Sequence, residues 1–292
     1  MWGLALLTAL LLAAPTPHAA KTYRAEIEKH RAERVADLRA PNGWLAVAGL
    51  FWLREGVNTV GSDRDKAVRL PRRAPRTLGV FELKKGTVTF TADAGVRLTS
   101  DGKAVNHFTF DPRQGEKSAI AIAGLTMFVI KRGDRYAVRL LDPERTQRRT
   151  FRGLRYYPLR PWYRLRATFT PYAKAKQVAV PNVLGMPVPM ESPGYVTFTL
   201  RGASYRLEPV YETEARENLF FIFKDLTSGK ETYPAGRFLH SPLPQNGIVD
   251  LDFNRAYNPP CAFTAFATCP LPTKENQLNV AIRAGELNYT HR

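Results

Sequence analysis

The chain has 292 residues, 44% of them hydrophobic, which allows one large domain or two and excludes a wholly disordered chain. Its formal net charge is +17, from 43 Lys and Arg against 26 Asp and Glu. That balance points to anionic partners, but the basic runs form no periodic helix and no nucleic-acid motif, so nucleic acid is not the expected one.

Residues 1–20, MWGLALLTALLLAAPTPHAA, hold an apolar run over 4–14, then Pro15, Pro17 and the small pair Ala19-Ala20. The run is too short to cross a hydrocarbon core of about 30 Å. It has the outline of a secretory signal, although its first residues carry no Lys or Arg. The expected product is an exported chain, periplasmic or secreted, cleaved near Ala20 and starting near Lys21. In that setting the positive charge suits an anionic envelope surface.

Residues 21–43 place Tyr23, Ile27, Val35 and Leu38 at helical spacing, and Pro41-Asn42-Gly43 stops the pattern. An N-terminal amphipathic helix is expected there. Trp44 to Leu53 is apolar apart from a glycine, and periodicity leaves strand and helical turn equally open. From Gly56 the period becomes two, with Lys84-Lys85-Gly86 between GVFEL and TVTFTA as a hairpin signal. Asp101-Gly102 and Arg132-Gly133-Asp134 supply further turns, so residues 44–150 read as a β-sandwich-like half. The Arg-rich stretch 142–161 is the best boundary. Beyond it Leu165, Ala167 and Phe169, then Val196, Phe198 and Leu200, alternate with polar residues. Residues 151–292 are therefore expected to form a second antiparallel sheet or barrel-like half, and the whole chain a mainly β fold.

The stretch 218–276 concentrates the chemistry. Lys224, Asp225, Glu231, Tyr233, Arg237, Asp252, Asn254, Arg255 and Tyr257 gather at the ends of successive strand candidates. Sequential strands usually neighbour each other, which would bring these ends together. Two outcomes stay open: a pocket for a polar or anionic small molecule or glycan, or a buried network fixing Pro-rich loops. Within the pocket reading, Asp252 is a candidate base, with Lys224 or Arg237 stabilising charge, as in a hydrolase. That reading expects Asp252→Asn and Arg237→Ala to abolish binding with little loss of stability. A purely structural module is the third possibility.

Cys261 and Cys269 are the only cysteines. In an oxidising compartment they are expected to form a disulfide, with a reactive thiol pair or a soft-metal site as the alternatives. A zinc site is not expected, since His240 is the one histidine in the stretch. Ser228 lies in no nucleophile elbow, and no phosphate loop, dinucleotide fingerprint or zincin motif occurs, so no cofactor is expected.

FKDLTSGKETYPAGRFL, LDFNRAYNPPCAFTAFATCPLP and the earlier NGWLAVAGLFWLREGVNTVGSD resemble the bacterial domain-of-unknown-function family 1684 over most of the chain after the leader. The resemblance carries no activity with it. GVNTVGSD at 56–63 is also similar to a forkhead-associated sandwich, which implies that fold for the first half. Ser62 stands where such domains place a phosphate-facing arginine, and Asp101-Gly102 replaces their Asn-Gly, so the resemblance does not imply phosphothreonine binding.

Overall fold

The computed structural model describes residues 17–290, with side chains from Ala20 onward. The leader read over residues 1–20 thus lies almost wholly outside the described residues. A helix runs over Pro17–Arg39 and buries Tyr23, Ile27 and Leu38 on one side. It ends before Pro41, which cannot donate to the preceding turn, and Gly43 N–H closes the exit on Ala40 O at 2.9 Å. The ambiguous apolar run resolves into a short 3-10 turn, Trp44–Ala46, followed by the strand Val47–Trp52.

Two sheets stack in the first half. A six-stranded sheet is ordered Val47–Trp52, Arg135–Leu141, Leu125–Arg132, Ala119–Ile122, Leu98–Ser100, Lys103–Val105. A five-stranded sheet is ordered Val68–Arg69, Gly56–Gly61, Gly79–Lys84, Thr87–Ala92, His107–Phe110. The period-two pattern turns Phe81, Phe90, Met127, Val129 and Val138 inward, where they share one core. The Lys-Gly turn of the hairpin sits at φ 49° and 81°, the left-handed pair that matches strand twist in a two-residue loop.

In the second half a four-stranded sheet is ordered Ala203–Leu207, Val188–Leu200, Arg164–Val180, Ile248–Asp252. A separate two-stranded ribbon pairs Asn218–Phe223 with Arg237–Pro242. None of these sheets closes into a barrel. The ribbon explains the unbroken apolar run NLFFIF. Leu219, Phe221 and Phe223 pack toward Phe198, Leu251 and Phe253, while Phe220 and Ile222 pack toward Val180, Val210 and Cys269. A strand buried on both faces has no reason to alternate.

The halves meet through the loop 260–270. Thr264 Oγ1 donates to Val47 O at 3.1 Å, Phe266 packs with Val47 and Phe128, and Arg132 Nε donates to Thr268 Oγ1 at 3.0 Å. The helix docks on the second half, where Arg34 donates to Glu286 at 3.2 Å and to Asn258 O at 2.9 Å. Glu286 is buried, and that burial raises its carboxyl despite Arg34 beside it.

Candidate functional site

The polar residues of 218–276 separate into two closed networks and one cleft. The first network centres on Arg237, which is 1% exposed. Its Nη2 donates to Asp225 Oδ2 at 2.6 Å and to Ile282 O at 2.9 Å, and its Nη1 donates to Ala284 O. Asp225 Oδ1 accepts from Thr227 N–H at 2.7 Å, so the DLTSGKET segment is a tight loop wound on one carboxylate. Gly236 has φ +100°, and a Cβ there would lie 2.5 Å from Phe223 O, which is why glycine precedes the arginine.

Around this pair the other expected residues scatter. The Lys224 side chain is exposed. Glu231 accepts from the Tyr157 hydroxyl at 3.1 Å and from Arg283 Nε at 3.1 Å. Tyr233 packs near Phe151 and Phe263, and burial pushes its phenol up to about 12.

The second network is closed by the N-terminal helix. The Tyr23 hydroxyl lies 2.9 and 3.0 Å from the two Asp252 oxygens. Asp252 caps the turn Phe253–Arg255 by accepting from Asn254 N–H at 3.0 Å, and Arg255 Nε stands 3.4 Å from it. Asn254 Nδ2 reaches Tyr23 at 3.0 Å and Arg160 O at 2.9 Å. Burial, then the charge of Asp252, raises the Tyr23 phenol well above its ordinary value. The candidate catalytic set Asp252, Lys224 and Arg237 is therefore divided among a covered carboxylate, an exposed amine and a core guanidinium.

Open space lies elsewhere, in a cleft of about 290 Å³ at the junction of the halves. Its walls include Arg34, Trp44, Arg132, Glu212, His240 and Tyr257. His240 faces Phe220 across the ribbon and stacks on it at 4.8 Å. Its Nε2 is 2.9 Å from Glu212 Oε2, and its Nδ1 is 3.0 Å from the Tyr257 hydroxyl. The Arg34 guanidinium covers the Tyr257 ring at 4.7 Å. Arg132 is partly buried, which lowers its pKa, and among the described residues it pairs with no carboxylate.

Of the nine residues expected to bind ligand, only Tyr257 lines this cleft. Arg34, Trp44, Arg132 and Glu212 carry no sequence signal, because they come from the helix, the first half and a charged loop. A larger depression of about 650 Å³ beside Arg164 and Asp250 opens to solvent, and that pair satisfies itself at 2.6 Å.

Cys269 lies on the same wall, with Cys261 beside it. Cys261 N–H donates to Cys269 Sγ at 3.1 Å, and both thiols are free, so the expected bond is not formed in this structure.

The family model described as Protein of unknown function (DUF1684) matches residues 149–287, just under half of the chain. The chain carries a DUF1684 domain. The match spans the Arg237 network, the ribbon, the cysteine loop and the Asp252 side of the second network, but not Tyr23; the resemblance noted over NGWLAVAGLFWLREGVNTVGSD also falls outside it. An uncharacterised protein of Haloarcula marismortui, solved by NMR, is 32% identical, covering 48% of this chain and 78% of that one, with a TM-score of 0.40. The FhaA FHA domain, solved in complex with an intracellular domain, is 15% identical over 31% of this chain and 96% of its own. An FHA domain from an analysis of phosphothreonine-dependent interactions is 15% identical over 32% of this chain and 92% of its own. Both have TM-scores of 0.23 and carry no argument about binding. No curated protein matches the chain.

Proposed function

We propose that this is an exported binding protein that holds a small anionic or polar ligand, such as an acidic sugar of the envelope, in the cleft between its halves. The observation that carries this reading is Arg132, a cation on the cleft wall with no carboxylate partner among the described residues. Arg132 is half-buried and already donates to Thr268 Oγ1 and Lys131 O, so what it lacks is a counter-charge, which an anion in the cleft would supply. Trp44 and Tyr257 supply aromatic surface of the kind that lies against a sugar ring beside such an anchor. A volume of about 290 Å³ suits one small molecule rather than a polymer segment.

Binding fits the geometry better than catalysis. Both ring nitrogens of His240 are engaged, one with Glu212 and one with Tyr257, leaving no lone pair aimed at a substrate. An imidazole held in that way is a rigid wall.

Calorimetric titration with uronic acids and sugar phosphates tests the reading. At least one should bind, and Arg132→Gln should weaken it by roughly tenfold or more, in line with a lost charged hydrogen bond. Failure of the whole set to bind, or equal binding by the variant, would reject it.

Export is tested separately by the intact mass of protein made with its own leader, expected to start near Lys21. Such a chain keeps Tyr23, and with it the contact that holds the helix on Asp252. A product retaining Met1 rejects the exported half of the proposal.

A further inference from the structure

Arg139 is the most poorly satisfied cation in the described chain. It is 6% exposed, yet its Nε and one Nη have no hydrogen-bond partner. Its guanidinium sits 5.0 Å from the Trp44 ring, and no described carboxylate forms an ion pair with it. Arg132 is the second cation in electrostatic reach, which worsens the imbalance, and Glu116 offsets it in part without forming an ion pair. The other groups in reach that can carry negative charge are the thiols of Cys261 and Cys269.

Those thiols are arranged to act together. Cys269 is buried on the cleft wall, Cys261 is half-buried, and the Cys261 amide points at the Cys269 sulfur. The only two cysteines of the chain thus lie side by side, unbonded, next to an unneutralised guanidinium.

We propose that Cys261 and Cys269 form a thiol–disulfide exchange site, which takes a small organic disulfide as its oxidant. Cys261, the more accessible sulfur, attacks one sulfur of that disulfide and forms a mixed disulfide, releasing the first thiolate. Cys269 then attacks the Cys261 sulfur, closes the internal S–S bond and expels the second thiolate. The two protons of the protein thiols end on the two released thiols. The pair is oxidised by two electrons and the small disulfide is reduced by two.

Electrostatics supports the order. The hydrogen bond from Cys269 holds the Cys261 thiol below its ordinary value, and Arg139 adds to that; sharing with Cys261 holds Cys269 above it. One proton therefore leaves the pair early, and the thiolate so formed supplies the charge that Arg139 lacks.

The test uses the full reduced protein and oxidised glutathione at neutral pH. Mass spectrometry should find the protein lighter by two hydrogens with no titratable thiol, restored by dithiothreitol. Cys269→Ser should stop at a glutathione adduct mapped to Cys261. Arg139→Met, which keeps volume and removes charge, should react about two- to threefold more slowly at neutral pH, because the smaller thiolate fraction is partly offset by the greater nucleophilicity of a less acidic thiol. Circular dichroism matching the wild type qualifies each variant, and should Arg139→Met fail to fold, the Cys269→Ser trap decides alone. Persistence of two free thiols in the wild type, or absence of a trapped adduct on Cys261, would overturn the proposal.

Discussion

Arg237→Ala is expected to lower the stability of this protein by ~3–5 kcal/mol, the range seen when one partner of a buried ion pair is removed. Arg237 is 1% exposed and the Asp225 side chain is fully covered, so neither charge can turn to water if the other is lost. The guanidinium also satisfies the carbonyls of Ile282 and Ala284, and so ties the final segment of the chain to the ribbon. Alanine would strand a buried carboxylate and two acceptors together. Asp225→Ala should cost a similar amount and also loosen the 227–232 loop, since Thr227 N–H loses its acceptor. The doubly apolar change Asp225→Leu with Arg237→Met should recover part of the loss, because no unpaired charge remains. Urea denaturation of the three variants measures this. Single variants within about 1 kcal/mol of the wild type would mean that the pair is not the buried anchor described here.

How far this arrangement was legible in the sequence depends on the range of the contacts. Period-two alternation revealed the strands around Val196, Phe198 and Leu200, and the Lys-Lys-Gly hairpin, because those signals are local. Asp250 and Asp252 stand two apart on one strand, the spacing that puts side chains on one face. Asp250 pairs with Arg164 in the open, whereas Asp252 is covered by Tyr23 from a helix 229 residues away, a contact no periodicity predicts. The concentration of polar residues in 218–276 was visible, but whether they faced each other or a ligand was not. Arg237 follows a glycine in a plain GRFL segment, and nothing local distinguishes a core guanidinium from a pocket one. The cleft was the least legible feature. Its cations come from the helix and the first half, and its acid, Glu212, from a charged loop that reads as solvated.

Asn276→Leu should be nearly as damaging, at about 3 kcal/mol, although it removes no charge. Asn276 is 4% exposed in the short turn Lys274–Asn276. Its Oδ1 accepts from Glu208 N–H at 2.8 Å, and its Nδ2 donates to Glu208 O at 2.9 Å and Ile222 O at 3.1 Å. One amide thus replaces the backbone partners that the chain after Ala203–Leu207 and the strand Asn218–Phe223 cannot give each other. Leucine has similar volume but leaves an N–H and two carbonyls unpaired in a dry site, each costing roughly 1–3 kcal/mol without strict additivity. Asn276→Asp separates polarity from geometry. It retains an acceptor for Glu208 N–H but turns a second oxygen toward the two carbonyls, so it should also destabilise, and increasingly so as pH rises and the introduced carboxyl ionises. Equilibrium denaturation at acidic and neutral pH reads both effects. If Asn276→Leu unfolds at the wild-type midpoint, those three hydrogen bonds do not join the sheet to the ribbon.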